Sequence, residues 1–173
     1  MTRCVRVLSI DGGGIRGIIP AMVLAEMEAL TGRRVSEVFD LVCGTSTGGI
    51  LALGLAKPGP GGGPHYTAAE MVALYEAEGE RIFSQSWLER RLKVRRLAQQ
   101  KYSAGGIEEV LRRYFGDARL SEAVTDVLIT AYETERRSPF LFRSRRARRE
   151  ADYDFPMREA ARATSAAPTY FPP

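Results

Sequence analysis

The chain has 173 residues, of which 45% are apolar and 27% are charged, with a formal net charge of +4. This is the size and composition of one globular domain with a buried core. No apolar run approaches the roughly 18–20 residues that span a bilayer, the N-terminus lacks a signal peptide's apolar core, and two cysteines (Cys4 and Cys43) exclude a disulfide framework. We therefore expect a cytoplasmic protein with both thiols buried and reduced, and leave peripheral membrane association open.

Strand and helix signals alternate along the chain. In chain order the apolar patterns predict a strand over 5–10, helices over 19–30 and 50–55 with a strand over 41–43 between them, helices over 67–82 and 107–115, and strands over 127–132 and 140–142. The Pro/Gly-rich residues 57–64 predict a surface loop, and Thr67 with Glu70 forms a capping-box pattern. Alternating strands and helices favour an α/β fold with a mostly parallel sheet covered on both faces.

The first predicted strand runs into a glycine-rich turn, Asp11–Gly17, which fits two functions. Its G-x-G-x-x-G spacing matches a dinucleotide-binding fingerprint, but the acidic residue expected about 20 positions on is misplaced, since Asp40 precedes the second strand. Consecutive glycines at a helix start also leave backbone N–H groups open to hold an oxyanion. The predicted oxyanion donors are Gly12, Gly13, Gly14 and Arg16.

The second predicted strand ends in the pentapeptide Gly44–Thr45–Ser46–Thr47–Gly48. A glycine two residues to each side of a serine, between a strand and a helix, is typical of a sharp turn that exposes a nucleophilic hydroxyl. A tight turn without chemistry is the alternative interpretation. A nucleophile and N–H donors at the ends of two strands are together what acyl transfer requires, so the two turns support each other.

At these residues the chain resembles the patatin-like phospholipase family. Residues 11–17 are similar to its oxyanion motif, residues 44–48 to its nucleophile elbow, and residues 163–173 to the segment before its third motif. The resemblance implies a three-layer α/β/α fold and a lipid acyl hydrolase with a Ser–Asp dyad, with Ser46 as nucleophile and Gly44, Thr45, Thr47 and Gly48 as the elbow. It implies no cofactor or metal and a glycerophospholipid substrate at a membrane surface. No nucleic-acid partner is expected, because stacking aromatics are not interleaved with the arginines of the basic stretches.

The base of the expected dyad is not identified by the sequence. The single histidine, His65, lies in the Pro/Gly-rich loop, which favours a surface position and a carboxylate base. In the family the base belongs to an Asp-Gly-Gly or Asp-Gly-Ala motif after residues 163–173, and the chain stops at Pro173 without one. Asp117, Asp126, Asp152 and Asp154 have no motif support. We expect residues 1–173 to form an incomplete domain with strongly impaired catalysis.

Other assignments stay open. The guanidinium of Arg16 fits either a substrate phosphate or a bracing role within the turn. Two basic stretches, 87–97 and 143–149, fit either an anionic lipid surface or solvated faces. A catalytically dead lipid- or partner-binding domain and a nucleotide- or phosphate-binding module are the alternatives to the hydrolase.

Overall fold

A computed structural model of the chain describes residues 4–83 and 105–166. The predicted α/β class is confirmed. Four strands form one sheet in the order β1 (Val7–Ile10), β2 (Leu41–Thr45), β3 (Asp126–Glu133) and β4 (Ser138–Arg143). The stretch 87–97 and residues 167–173, which carried predictions, lie outside the described residues.

The sheet is mostly parallel, and its register brings the two motif-bearing turns to one edge. β1 pairs in parallel with β2, and β2 with β3, while β3 and β4 are antiparallel. Ile10 pairs with Gly44 and Thr45 with Thr130, so the carboxyl ends of three strands lie side by side. This is the edge at which open parallel sheets usually hold their ligands.

The four predicted helices are present, and helices over 35–38, 144–147 and 157–165 were not predicted. The described helices are α1 (Ile18–Thr31), α2 (Val35–Val38), α3 (Thr47–Ala56), α4 (Ala68–Phe83), α5 (Gly105–Phe115), α6 (Ser144–Ala147) and α7 (Met157–Ser165), with 3-10 turns at Gly14–Gly17, Leu120–Glu122 and Ala151–Tyr153. The predicted capping box at α4 is confirmed, because the Thr67 N–H donates to Glu70 Oε2 at 2.8 Å and the Glu70 N–H donates to Thr67 Oγ1 at 2.9 Å. α3 begins directly after Ser46, three residues earlier than its apolar run predicts.

The core lies between one face of the sheet and α3, whose ten residues are all buried. Ile10, Val42 and Ile129 point into this core, and α7 packs against both α3 and β3. A helix that is apolar all round is expected at such a central position, because it has no face to offer to water. The nucleophile candidate therefore precedes the most deeply buried helix of the described chain.

The opposite sheet face and β1 are more open. Among the described residues β1 has a neighbour on one side only, and Val7 is 53% exposed. Cys4 is exposed just before β1, so the prediction that it is buried is wrong, and the physical reason is this edge position. Cys43 is half-buried, and its burial raises the pKa of the thiol.

Candidate functional site

The glycine-rich turn and Ser46 meet at the carboxyl edge of the sheet. A β-carbon added at Gly12 would lie 3.1 Å from Ser46 Cβ and 3.8 Å from Ser46 Oγ. A β-carbon added at Gly48 would overlap with the carbonyl oxygen of Ile10. The two turns are therefore packed backbone against backbone, and a side chain at either glycine would push them apart.

Ser46 has a strained backbone conformation, with φ 56° and ψ −124°. A non-glycine residue at positive φ carries a conformational cost of about 1–3 kcal/mol, which persists only where the surroundings enforce it. The neighbouring glycines allow this turn, because a β-carbon at Gly44 would overlap with the backbone of Gly48. The side chain of Ser46 is half-buried at the start of α3. This is the local geometry that the G-x-S-x-G pattern predicts.

Hydroxyl groups from two distant helices hold the turn. The Ser46 N–H donates to Thr164 Oγ1 of α7 at 2.8 Å. The Tyr75 hydroxyl of α4 donates to the Thr47 carbonyl oxygen at 2.8 Å and accepts from Thr47 Oγ1 at 2.9 Å. Desolvation by burial raises the pKa of Tyr75 to about 12, and the hydrogen bond with Thr47 opposes this rise only in part.

Sequence reasoning missed both of these hydroxyl groups. Thr164 is 118 residues from Ser46 and Tyr75 is 28 residues from Thr47. A threonine and a tyrosine on apolar helix faces carry no local signal of such contacts. The one available signal for Thr164 was its place in the segment 163–173 that resembles a family motif.

The predicted oxyanion donors are not equivalent. The Arg16 N–H donates to the Gly13 carbonyl oxygen at 3.2 Å within the turn. Within residues 4–83 and 105–166, the N–H groups of Gly12 and Gly13 have no backbone acceptor. Gly14 adopts φ 59°, which a glycine supplies without strain. The N–H of Arg16 is thus engaged within the turn, whereas those of Gly12 and Gly13 have no backbone acceptor among the described residues.

The guanidinium of Arg16 is on the surface beside this turn. Arg16 is exposed and lines a groove of about 590 Å³ with Asp11, Gly12 and Gly13. No described residue forms a hydrogen bond or ion pair with the side chain of Arg16 or of Asp11. In the described part of the chain, no contact of the Arg16 side chain supports the bracing role that the sequence left open.

The single histidine lies at the far end of α3 from Ser46. The exposed His65 donates its backbone N–H to the carbonyl oxygen of Lys57, the residue after α3. A helix of ten residues separates the two ends by about 15 Å. This position fits the expectation that His65 is a surface residue and not the base.

The aspartates without motif support form ion pairs with arginines or lie on the surface. Asp126 pairs with Leu41 at the start of the sheet, about 16 Å along the strands from Ser46, and binds Arg145 and Arg148. Asp154 binds Arg119 and Asp117 binds Arg158, while Asp152 is exposed.

The arginine run 143–149 is partly occupied by the same ion pairs. Besides Arg145 and Arg148, Arg146 binds Glu150 and lies 3.2 Å over the ring of Tyr153. Three of the five arginines therefore have protein partners, which favours the structural interpretation of this run over a lipid-facing one.

The fold and the site define a class: an α/β protein with a strained serine turn that faces a glycine-rich turn at the carboxyl edge of a mostly parallel sheet. Comparison with known proteins identifies the family. The family model described as patatin-like phospholipase matches residues 8–173. The chain belongs to this family.

Several curated relatives are similar over nearly the whole chain. Patatin-17 of Solanum cardiophyllum is 35% identical over 98% of this chain and 44% of its own length. Patatin-like protein 2 of Arabidopsis thaliana is 34% identical over 97% and 44%, and a protein named probable inactive patatin-3-Kuras 1 of Solanum tuberosum is 34% identical over 98% and 45%. The chain thus spans less than half the length of these relatives. No described helix is long and apolar enough to cross a membrane.

Proposed function

We propose that this chain carries the nucleophile and the oxyanion site of a lipid acyl hydrolase. The observation that supports this most strongly is the close approach of the glycine-rich turn to the strained Ser46, since a β-carbon added at Gly12 would lie 3.8 Å from Ser46 Oγ. Family membership supports lipid hydrolysis as the general activity. The substrate is an acyl ester of a lipid, with a glycerophospholipid at a membrane surface as the favoured class.

The proposed chemistry is acyl transfer through a covalent intermediate. Ser46 Oγ attacks the ester carbonyl carbon as a base takes its proton, and the negative charge that develops on the carbonyl oxygen is held by the N–H groups of Gly12, Gly13 and Gly14. The tetrahedral intermediate then releases the alcohol and leaves an acyl group on Ser46. Water hydrolyses this ester in the second half of the reaction.

The proposed base is an aspartate, in keeping with the family resemblance. Within the described residues, Asp117, Asp126 and Asp154 hold arginines, and none of these ion pairs involves a residue of the serine or glycine turns. We therefore propose that turnover by residues 1–173 is slow even with Ser46 as nucleophile and the glycine N–H groups as donors. A general base usually contributes about 10²–10⁴-fold to such a reaction.

An activated ester tests the nucleophile and the impairment together. With p-nitrophenyl octanoate, we expect intact-mass spectrometry to find an octanoyl group on Ser46, followed by slow release of octanoate. Ser46→Ala should lose the adduct. Ser36→Ala, which removes a half-buried hydroxyl from α2, should keep it. Equal acylation of the Ser46→Ala chain would contradict the proposal, and fast turnover that depends on Ser46 would show that a base is present within residues 1–173.

A catalytically dead, lipid-binding domain is the second candidate, and one observation favours it. A relative at 34% identity carries the printed name probable inactive patatin-3-Kuras 1. For this candidate, vesicles should bind the chain and protect the turn at Asp11–Gly17 from proteolysis, while no ester or phosphonate modifies Ser46.

A further inference from the structure

The backbone N–H of Ser46 has a partner from outside its own turn. It donates to Thr164 Oγ1 at 2.8 Å, across 118 residues of sequence. Thr164 is 7% exposed and lies near the end of α7. A buried N–H without an acceptor would cost about 1–3 kcal/mol. The Thr164 hydroxyl avoids this cost by accepting a hydrogen bond from the Ser46 N–H.

The bond acts on the strained residue itself. The angle φ describes rotation about the N–Cα bond, so for a fixed N–H the value of 56° sets the direction in which the side chain of Ser46 points. Thr164 holds the N–H on the side of α7, and Ser46 Cβ lies on the side of Gly12. Loss of the acceptor would leave Ser46 free to relax toward negative φ, which would turn its hydroxyl away from the glycine turn.

Thr164 is well placed to act as a rigid support. A β-carbon at Gly49 would lie 2.8 Å from Thr164 Cγ2 and 3.2 Å from Ile129 Cγ2, so the missing side chain at Gly49 lets α7 approach α3. The first residue of α7, Met157, is tied by its N–H to the Ala118 carbonyl oxygen at 2.8 Å. A site held by a packed helix is more precise than one held by a loop.

We propose that Thr164 is a positioning residue that keeps Ser46 in its attacking conformation through this hydrogen bond. The inference rests on the proposed function, in which Ser46 is the nucleophile. It assigns Thr164 no contact with the substrate. Its effect is on the backbone of Ser46, and through that on the direction of the hydroxyl.

Two variants distinguish the effect of the Thr164 hydroxyl from the effect of the side-chain volume. Thr164→Val keeps the volume and removes the acceptor, and Thr164→Ser keeps the acceptor. In Thr164→Val we expect hydrogen exchange of the Ser46 amide, followed by nuclear magnetic resonance, to accelerate about tenfold, as loss of one hydrogen bond implies. Exchange of the Val42 amide in β2 should be unchanged. Modification of Ser46 by an alkyl fluorophosphonate should slow about tenfold, and Thr164→Ser should restore both rates.

The two measurements fail separately. Unchanged exchange of the Ser46 amide in Thr164→Val overturns the inference, and so does faster exchange without slower modification. A wild-type chain whose Ser46 is protected from exchange but never reacts contradicts the proposed nucleophile and, with it, the positioning role. If circular dichroism finds Thr164→Val unfolded, Thr164→Ala replaces it, with the same expectations and the same Thr164→Ser reference.

Discussion

At the scale of single residues, several polar groups of the glycine-rich turn have no partner among the described residues. The N–H groups of Gly12 and Gly13 and the guanidinium of Arg16 have no described partner, whereas the Arg16 N–H is used within its turn. The described residues therefore agree better with an anion-binding role of the Arg16 guanidinium than with a bracing role in the turn.

Arg16→Lys tests this anion-binding role. A guanidinium binds a phosphate through two parallel hydrogen bonds, and a lysine ammonium cannot reproduce that geometry. We expect acylation of Ser46 by a phospholipid to slow about tenfold, with acylation by a neutral ester of the same acyl chain nearly unchanged. The measurement is the single-turnover acylation rate with each substrate, by intact mass. Equal slowing with both substrates would reject the phosphate contact.

At the scale of elements, the serine turn is a junction of β1, β2 and α3 that depends on the absence of side chains. Gly44 and Gly48 face each other across the turn, and Gly48 also faces the end of β1. Tyr75 connects the same junction to α4 through Thr47. The position of Ser46 is therefore set by packing between elements and not by its pentapeptide alone.

Gly48→Ala should disrupt this junction. The added β-carbon would overlap with the Ile10 carbonyl group, which is backbone and cannot rotate away. We expect the free energy of unfolding to fall by about 2–3 kcal/mol, measured by urea denaturation. Gly63→Ala is the matched control, because a β-carbon there meets no atom within 4 Å. A Gly48→Ala chain as stable as the control would show that β1 and the serine turn are not in close contact.

At the scale of the whole molecule, α3 lies at the centre of the described core, in contact with β2, β3 and α7. The ion pairs of Asp126 tie β3 to the segment after β4. Burial opposes ionisation of Asp126, but the hydrogen bonds and charges of Arg148 and Arg145 outweigh it and lower the pKa of the carboxyl. The ion pairs of Arg145 and Arg148 are therefore structural contacts at the end of the strands opposite Ser46.

The buried Tyr75 should make the stability of the molecule sensitive to high pH. Its pKa is about 12 in the folded chain and about 10 in the unfolded chain. Above pH 10 the unfolded chain loses the phenol proton and the folded chain keeps it, so stability that is complete below pH 10 is lost as pH rises toward 12. The loss should reach about 2–3 kcal/mol.

Urea denaturation between pH 9 and 12 measures this loss. Tyr75→Phe should be less stable at pH 9, because two hydrogen bonds with Thr47 are lost, but its stability should fall less steeply between pH 10 and 12. Tyr132→Phe controls for the loss of a phenol that is 60% exposed. If the free energy of unfolding fell as steeply between pH 10 and 12 in Tyr75→Phe as in the wild-type chain, Tyr75 would not be buried and protonated in the folded state.

Local pattern was enough to predict the strands, most helices and the two turns, because apolar periodicity and glycine positions are short-range signals. Gly12 and Ser46, predicted at the ends of two strands, lie close together in the structure. The prediction that Cys4 is buried was wrong, because the apolar pattern of an edge strand does not differ from that of a central strand. Thr164 and Tyr75 were missed because their hydrogen bonds depend on how α7 and α4 pack, which single-residue propensities do not encode.

The central claim is that Ser46 is the nucleophile, and site-mapped phosphonylation tests it most directly. The wild-type chain and Ser46→Ala would be treated with an alkyl fluorophosphonate and digested, and the modified peptide would be identified by mass spectrometry. The account predicts one adduct, on Ser46, that is absent from Ser46→Ala. A wild-type chain without an adduct on Ser46, or an adduct that persists in Ser46→Ala, would contradict it.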